Sequence, residues 1–112
     1  MRWTFDVDQG SLYLELGAGE PVEQVEMADG TIVDLDDSGG VIGIEVLSAW
    51  ADWDWRAIVS TFALDAKVAA SVEHVARSPL LQVRPVRRRQ ARQPGISPSG
   101  TTSGTAVLVE SA

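Results

Sequence analysis

Short segments of alternating apolar and polar residues run through residues 1–49. A period of two buries one face of each segment and leaves the other face in solvent, as in a half-buried β-strand. Turns such as Asp29-Gly30, a favoured hairpin pair, separate the segments, and loops this short join antiparallel neighbours. The pattern therefore predicts a five-stranded antiparallel β-meander. The predicted strands span residues 2–6, 11–16, 24–27, 32–36 and 41–47.

Residues 50–78 predict one amphipathic helix that packs on the apolar face of this sheet, within the same domain. Apolar residues recur there at steps of three and four, from Trp55 to Val75. Asp52 or Asp54 is the expected N-cap, and Ser78-Pro79 ends the helical pattern. The predicted fold class is therefore α+β. Because the helix carries apolar residues on more than one side, a second copy or a partner protein is expected to cover the remainder.

Residues 79–112 read as a basic tail rich in Pro, Gly and Ser. With so little apolar material, most of this segment is predicted to be disordered. A small apolar patch, Ala106–Val109, lies near the end. It can either pair along a sheet edge or remain a loose terminus, and the pattern favours the loose terminus.

The formal net charge of -7 averages two unlike halves of the chain. Residues 1–54 hold 13 acidic side chains and one Arg, whereas residues 55–112 hold three acidic and eight basic side chains. The absence of cysteine and the single histidine exclude a disulfide framework, a thiolate zinc site and a multi-histidine metal site. No apolar run reaches membrane-spanning length, and the first residues lack the apolar core of a signal peptide. We therefore expect a cytoplasmic protein with no membrane partner.

The strand segments also carry a family resemblance. Taken together, Trp3-Thr4-Phe5-Asp6, Gly10–Leu16, Thr31–Asp36 and Gly40–Leu47 resemble the bacterial and archaeal domain-of-unknown-function family DUF2283 over residues 1–49. The resemblance implies a small α+β or mostly-β domain with no established activity. Some members look as if they sit beside small toxin-like genes, which implies an antitoxin-like role. This chain departs from the family at Gly10-Ser11, where members usually carry Asp-Ala, and in continuing beyond Trp50.

The acidic turn between the last two predicted strands has the residue spacing of an EF-hand calcium loop. Asp34, Asp36, Ser38 and Gly39 stand at the required positions, with Glu45 as the final ligand. However, the flanks alternate as strands, so Glu45 would lie about 15 Å from the turn. The turn is therefore predicted to be an acidic hairpin, and the chain to have no metal site and no cofactor. Weak cation binding at Asp34, Asp36 and Asp37 is the alternative.

No residue pattern in the chain singles out a catalytic pair. The remaining strand carboxylates alternate with apolar residues, as solvated strand faces do, and the helix dipole accounts for His74 near a helix end. We therefore predict that the chain is not an enzyme. The carboxylates considered are Asp6, Asp8, Glu15, Glu23 and Glu26.

Two clusters are candidates for contacts with a partner. Trp50, Trp53 and Trp55 crowd the junction between the last strand and the helix, where they either pack in the core or form an interface hot spot. An arginine run in the tail can contact phosphates, a protein partner or the chain's own acidic strands, or remain a solvated tail. The run consists of Arg84, Arg87, Arg88, Arg89 and Arg92.

These observations favour a non-enzymatic binding or interaction module that self-associates or binds a small protein partner. The alternative is an antitoxin- or regulator-like protein whose arginine-rich tail contacts DNA or a toxin partner. Nucleic-acid binding is the less favoured of the two, because the attached domain is acidic and no aromatic residue is interleaved with the arginines for base stacking.

Overall fold

The computed structural model describes residues 1–84 and the segment 107–111, in which only the backbone and the Val107 side chain are described. Six antiparallel strands form one sheet in the order β3-β4-β5-β2-β1-β6. All five strands predicted from the alternation are present. The strands are β1 (Arg2–Asp6), β2 (Ser11–Glu15), β3 (Glu23–Glu26), β4 (Ile32–Leu35), β5 (Val41–Val46) and β6 (Val107–Ser111).

The strand order departs from the predicted meander after β2. The following connection carries the chain to the far edge of the sheet, where β3 pairs only with β4. β5 then returns to lie beside β2, with Leu12 opposite Val46 and Leu14 opposite Ile44. All four of these side chains are buried, so the pairing of β2 with β5 joins two apolar strands at the centre of the sheet.

Two helices, rather than the single predicted helix, accompany the sheet: α1 (Trp55–Thr61) and α2 (Ala66–Ala76). Their buried residues Ile58, Val72 and Val75 belong to the same core as the inner strand residues. Asp54, one of the two residues predicted as the N-cap, caps α1. Its Oδ1 accepts a hydrogen bond from the Ala57 N–H at 3.1 Å. The fold class, α+β with an antiparallel sheet, is confirmed.

The predicted tail boundary at residue 79 is wrong. Pro79–Gln82 form a 3-10 helix, and Leu81 within it is buried in the core. The expected loose terminus is also corrected, because Val107–Ser111 pair with β1 along the sheet edge. This pairing satisfies backbone donors and acceptors that β1 would otherwise leave open. The predicted disorder of residues 85–106 lies outside the described residues.

Candidate interaction groove

Trp50 is held in place from three sides at the start of the junction between β5 and α1. Its ring packs on Gly10, where φ is +75° and an added Cβ would lie 2.6 Å from the ring. The ring of Phe5 meets it edge-on, with a centroid distance of 6.5 Å. Trp50 Nε1 donates a hydrogen bond to the carbonyl of Val83 at 2.9 Å. These contacts tie the junction to the 3-10 helix and give Trp50 a structural role.

Trp53 is the most buried indole of the junction, with 8 % of its surface exposed. Its Nε1 is buried, yet it has no hydrogen-bond acceptor among the residues that the structure describes. A buried indole N–H normally finds an acceptor, because leaving such a donor unpaired costs free energy. Trp53 therefore combines packing with an unused donor.

Trp55 begins α1 and lies beside two guanidinium groups. The Arg56 Cζ is 4.4 Å from the Trp55 ring centroid, and the Arg77 Cζ is 6.0 Å from it. Arg77 also forms an ion pair with Glu73, one turn earlier in α2, at 3.6 Å. The cationic groups and the ring attract each other electrostatically, so the half-buried Trp55 and the exposed Arg56 form an aromatic and cationic rim.

The loop that carries these indoles is anchored by Asp29 from the β3–β4 hairpin. Asp29 Oδ2 accepts a hydrogen bond from the Asp54 N–H at 2.9 Å, and its Oδ1 accepts one from the Thr31 N–H at 3.0 Å. The hydrogen bond from Asp54 is the main reason that the pKa of Asp29 is lowered. The hairpin therefore positions the start of α1.

Together these residues enclose a groove of about 430 Å³, which we call the tryptophan groove. Its floor and walls come from the β5–α1 junction, the end of α2 and the 3-10 helix. Two aspartates and two arginines are among the lining residues, so the groove carries both signs of charge. The lining consists of residues 49–56, Ala76, Arg77 and Gln82.

The five predicted contact arginines are only partly described. Arg84 lies with its Cζ 5.2 Å from the Trp50 ring centroid, and Arg87, Arg88, Arg89 and Arg92 lie outside the described residues. Arg84 therefore contacts an indole of the junction, which the sequence did not predict. The prediction that the run contacts a partner or a nucleic acid stays a prediction.

The acidic turn with EF-hand spacing is a hairpin between β4 and β5. Asp36 Oδ1 accepts hydrogen bonds from the Ser38 hydroxyl at 2.7 Å, the Gly40 N–H at 2.8 Å and the Ser38 N–H at 2.9 Å. These bonds, with the Ser38 hydroxyl first, lower the pKa of Asp36. Asp34 faces other partners on the sheet, and Glu45 stands within β5. No group of three or more acidic or histidine side chains in the described part of the chain is arranged to hold a metal ion.

Sequence reasoning missed a second cluster, on the sheet face opposite the helices. There the Tyr13 hydroxyl donates a hydrogen bond to Asp34 Oδ2 at 3.0 Å, and Gln24 Nε2 donates one to Asp34 Oδ1 at 2.8 Å. The three residues come from three strands, so only the strand order brings them together.

Comparison with known proteins gives a family match for the segment that forms the first five strands of the sheet. Residues 2–49 match the profile of a family described as protein of unknown function (DUF2283). This segment resembles DUF2283. It contains β1–β5, whereas nearly all of the tryptophan groove lies after it. No curated protein and no solved structure matches the chain.

The DUF2283-like segment brings no assigned activity with it. Neither helix of the described residues has the length and apolarity needed to cross a membrane.

Proposed function

We propose that the chain is a non-enzymatic interaction module and that the tryptophan groove is its contact surface. The pairing of Trp55 with the exposed Arg56, whose Cζ lies 4.4 Å from the Trp55 ring centroid at the rim of the groove, is the observation that carries this proposal. A partner that covers this ring and guanidinium would strengthen their electrostatic attraction by removing water from it. Trp and Arg, the residue types that meet here, are also those enriched in interface hot spots.

The partner that we propose is a second copy of this chain. A twofold interface brings each patch against its own copy, so a patch that carries both signs of charge can pair acid with base across the axis. The groove lining includes Asp52 and Asp54 as well as Arg56 and Arg77. The small size of the described fold also favours additional burial through association.

Sedimentation equilibrium of the full chain over a concentration series tests this function. We expect a reversible dimer, with the dissociation constant raised about 30-fold by Trp55→Ala, which corresponds to the loss of a hot-spot residue. Arg56→Ala should weaken the dimer in the same direction. Leu47→Ala is the matched control, because Leu47 is 57 % exposed and lies outside the groove.

Circular dichroism of each variant establishes that the fold is retained. A chain that stays monomeric at all concentrations would refute self-association. A dimer that Trp55→Ala and Arg56→Ala leave unchanged would place the interface away from the groove.

A further inference from the structure

The outer edge of β1 is occupied by a strand from the far end of the chain. β6 pairs with β1 over five residues, and the register places Thr4 opposite Val109 and Phe5 opposite Leu108. Nothing else in the described part of the chain borders this edge, since β2 occupies the other side of β1. The β1 edge therefore binds a strand, and β6 of the same chain occupies it in this structure.

The connection to that strand begins and ends at the same end of the sheet. Val83 accepts the hydrogen bond from Trp50, whose ring lies on Gly10 in the β1–β2 turn. Val107 is paired with Asp6, whose carbonyl accepts a hydrogen bond from the Gly10 N–H. Both ends of the connection therefore lie near the β1–β2 turn. The intervening residues 85–106 form a chain of about 22 residues, which can extend to roughly 70 Å.

We propose that β6 exchanges between copies, so that Val107–Ser111 of one molecule pairs with β1 of a second molecule. The proposal rests on the proposed self-association and names a second contact for it. The only segment known to fit this edge in register is the chain's own, and every copy carries it. A second copy therefore presents a strand of the right length, sequence and direction.

The pairing of β6 with β1 is the same within one molecule and between two. The two arrangements then differ mainly in chain entropy, so that the chain's own β6 competes for the edge at an effective concentration of about millimolar order. Exchange should therefore rise with protein concentration toward that range. Contact through the tryptophan groove would raise the local concentration of the second strand and favour exchange at lower protein concentration.

Disulfide trapping tests the proposal in the full chain, which contains no native cysteine. Two single-cysteine variants, Thr4→Cys and Val109→Cys, are equilibrated together and then oxidised. Residues directly opposite in an antiparallel pair have Cβ atoms about 5 Å apart, close enough for a disulfide after small adjustments. Exchange brings the two cysteines together only when the strand of one variant occupies the β1 edge of the other.

The matched control is the out-of-register mixture of Thr4→Cys with Val107→Cys, because Val107 pairs with Asp6. We expect about tenfold more cross-linked heterodimer from the in-register mixture, since its cysteines are direct cross-strand neighbours. The in-register yield should increase with concentration. The double variant T4C/V109C should close a disulfide within one molecule when dilute, and once closed it should no longer exchange.

Equal heterodimer yields from the two mixtures would show random collision and overturn the proposal. An excess of Thr4→Cys homodimer would also overturn it, because that product pairs β1 with β1 of a second copy. The absence of any heterodimer at millimolar protein concentration would overturn it as well. Repeating the experiment with Trp55→Ala in both partners separates the two proposals. If Trp55→Ala removes only the groove contact, in-register cross-linking should persist at high protein concentration. A dimer that forms through the groove but gives no in-register cross-link would refute strand exchange and leave the groove proposal intact.

Discussion

Tyr13 illustrates how much one side chain can depend on its neighbours across the sheet. Its hydroxyl lies over Gly43 of β5, where an added Cβ would overlap it, and donates its hydrogen bond to Asp34 of β4. Burial is the largest cause that raises the pKa of Tyr13, followed by the hydrogen bond to Asp34, and the value reaches about 12. The phenol is therefore held neutral well above its ordinary pKa of 10.0.

We predict that the single tyrosine of this chain titrates with a midpoint of about 12 in the folded protein. Because the pKa is raised on folding, its contribution to stability is fully present below pH 10 and is lost as the pH rises from about 10 to about 12. Ultraviolet absorbance of the phenolate measures the titration, with circular dichroism recorded on the same samples to follow unfolding.

Asp34→Asn is the informative variant for this titration. It removes the negative charge that opposes ionisation of Tyr13, while burial remains, so the midpoint should fall below that of the unsubstituted protein without losing the whole shift. A midpoint near 10 in the folded, unsubstituted protein would contradict the structure around Tyr13.

At the scale of the element, the break between α1 and α2 is the main departure from the helical pattern. Ala63 adopts a positive φ of 48°, and Asp65 then caps α2, with its Oδ1 accepting a hydrogen bond from the Val68 N–H at 2.8 Å. The apolar spacing continues through Phe62 and Leu64 and so predicts one helix. The spacing of apolar residues does not reveal that a new helix starts at Asp65, because a polar residue is found on a helix surface as well as at an N-cap.

We predict that Asp65→Ala lowers the free energy of unfolding by about 1 kcal/mol, the usual cost of an N-cap. Urea denaturation followed by tryptophan fluorescence measures the change. Asp65→Ser retains a side-chain acceptor and should preserve most of the stability. Equal losses in the two variants would mean that the negative charge of Asp65, rather than its hydrogen bond, is what α2 requires.

At the scale of the whole molecule, the 3-10 helix adds a buried residue to the core that the sheet and the helices share. Leu81 is 1 % exposed, whereas its neighbour Leu80 is 38 % exposed. We predict that Leu81→Ala costs roughly 2–5 kcal/mol of unfolding free energy, as for other large-to-small changes in a core. Thermal and urea unfolding provide the measurement.

Leu80→Ala is the matched control for this experiment, since it makes the same chemical change one residue away at a more exposed position. It should cost clearly less than Leu81→Ala. Similar small losses for both variants would contradict the burial of Leu81.

The structure also shows where some of the basic residues of the second half of the chain lie. Three arginines from the net-basic second half lie against indoles of the junction: Arg56 and Arg77 at Trp55, and Arg84 at Trp50. The net charge of -7 therefore conceals cationic groups gathered at one groove. Composition alone cannot show this, because it does not record which charges share a surface.

Local sequence was sufficient to specify the five strands of residues 1–49, an N-cap at either Asp52 or Asp54, and the α+β class. Each of these depends on residues a few positions apart, through the period of the apolar pattern, turn chemistry and capping. Tertiary structure alone decided the pairing of β2 with β5, the Tyr13–Asp34–Gln24 cluster, the burial of Leu81 and the position of β6. These features join residues far apart in the chain, and several alternative pairings satisfy the same local pattern. The choice among them is made by which arrangement buries the most apolar surface and leaves the fewest backbone groups unpaired.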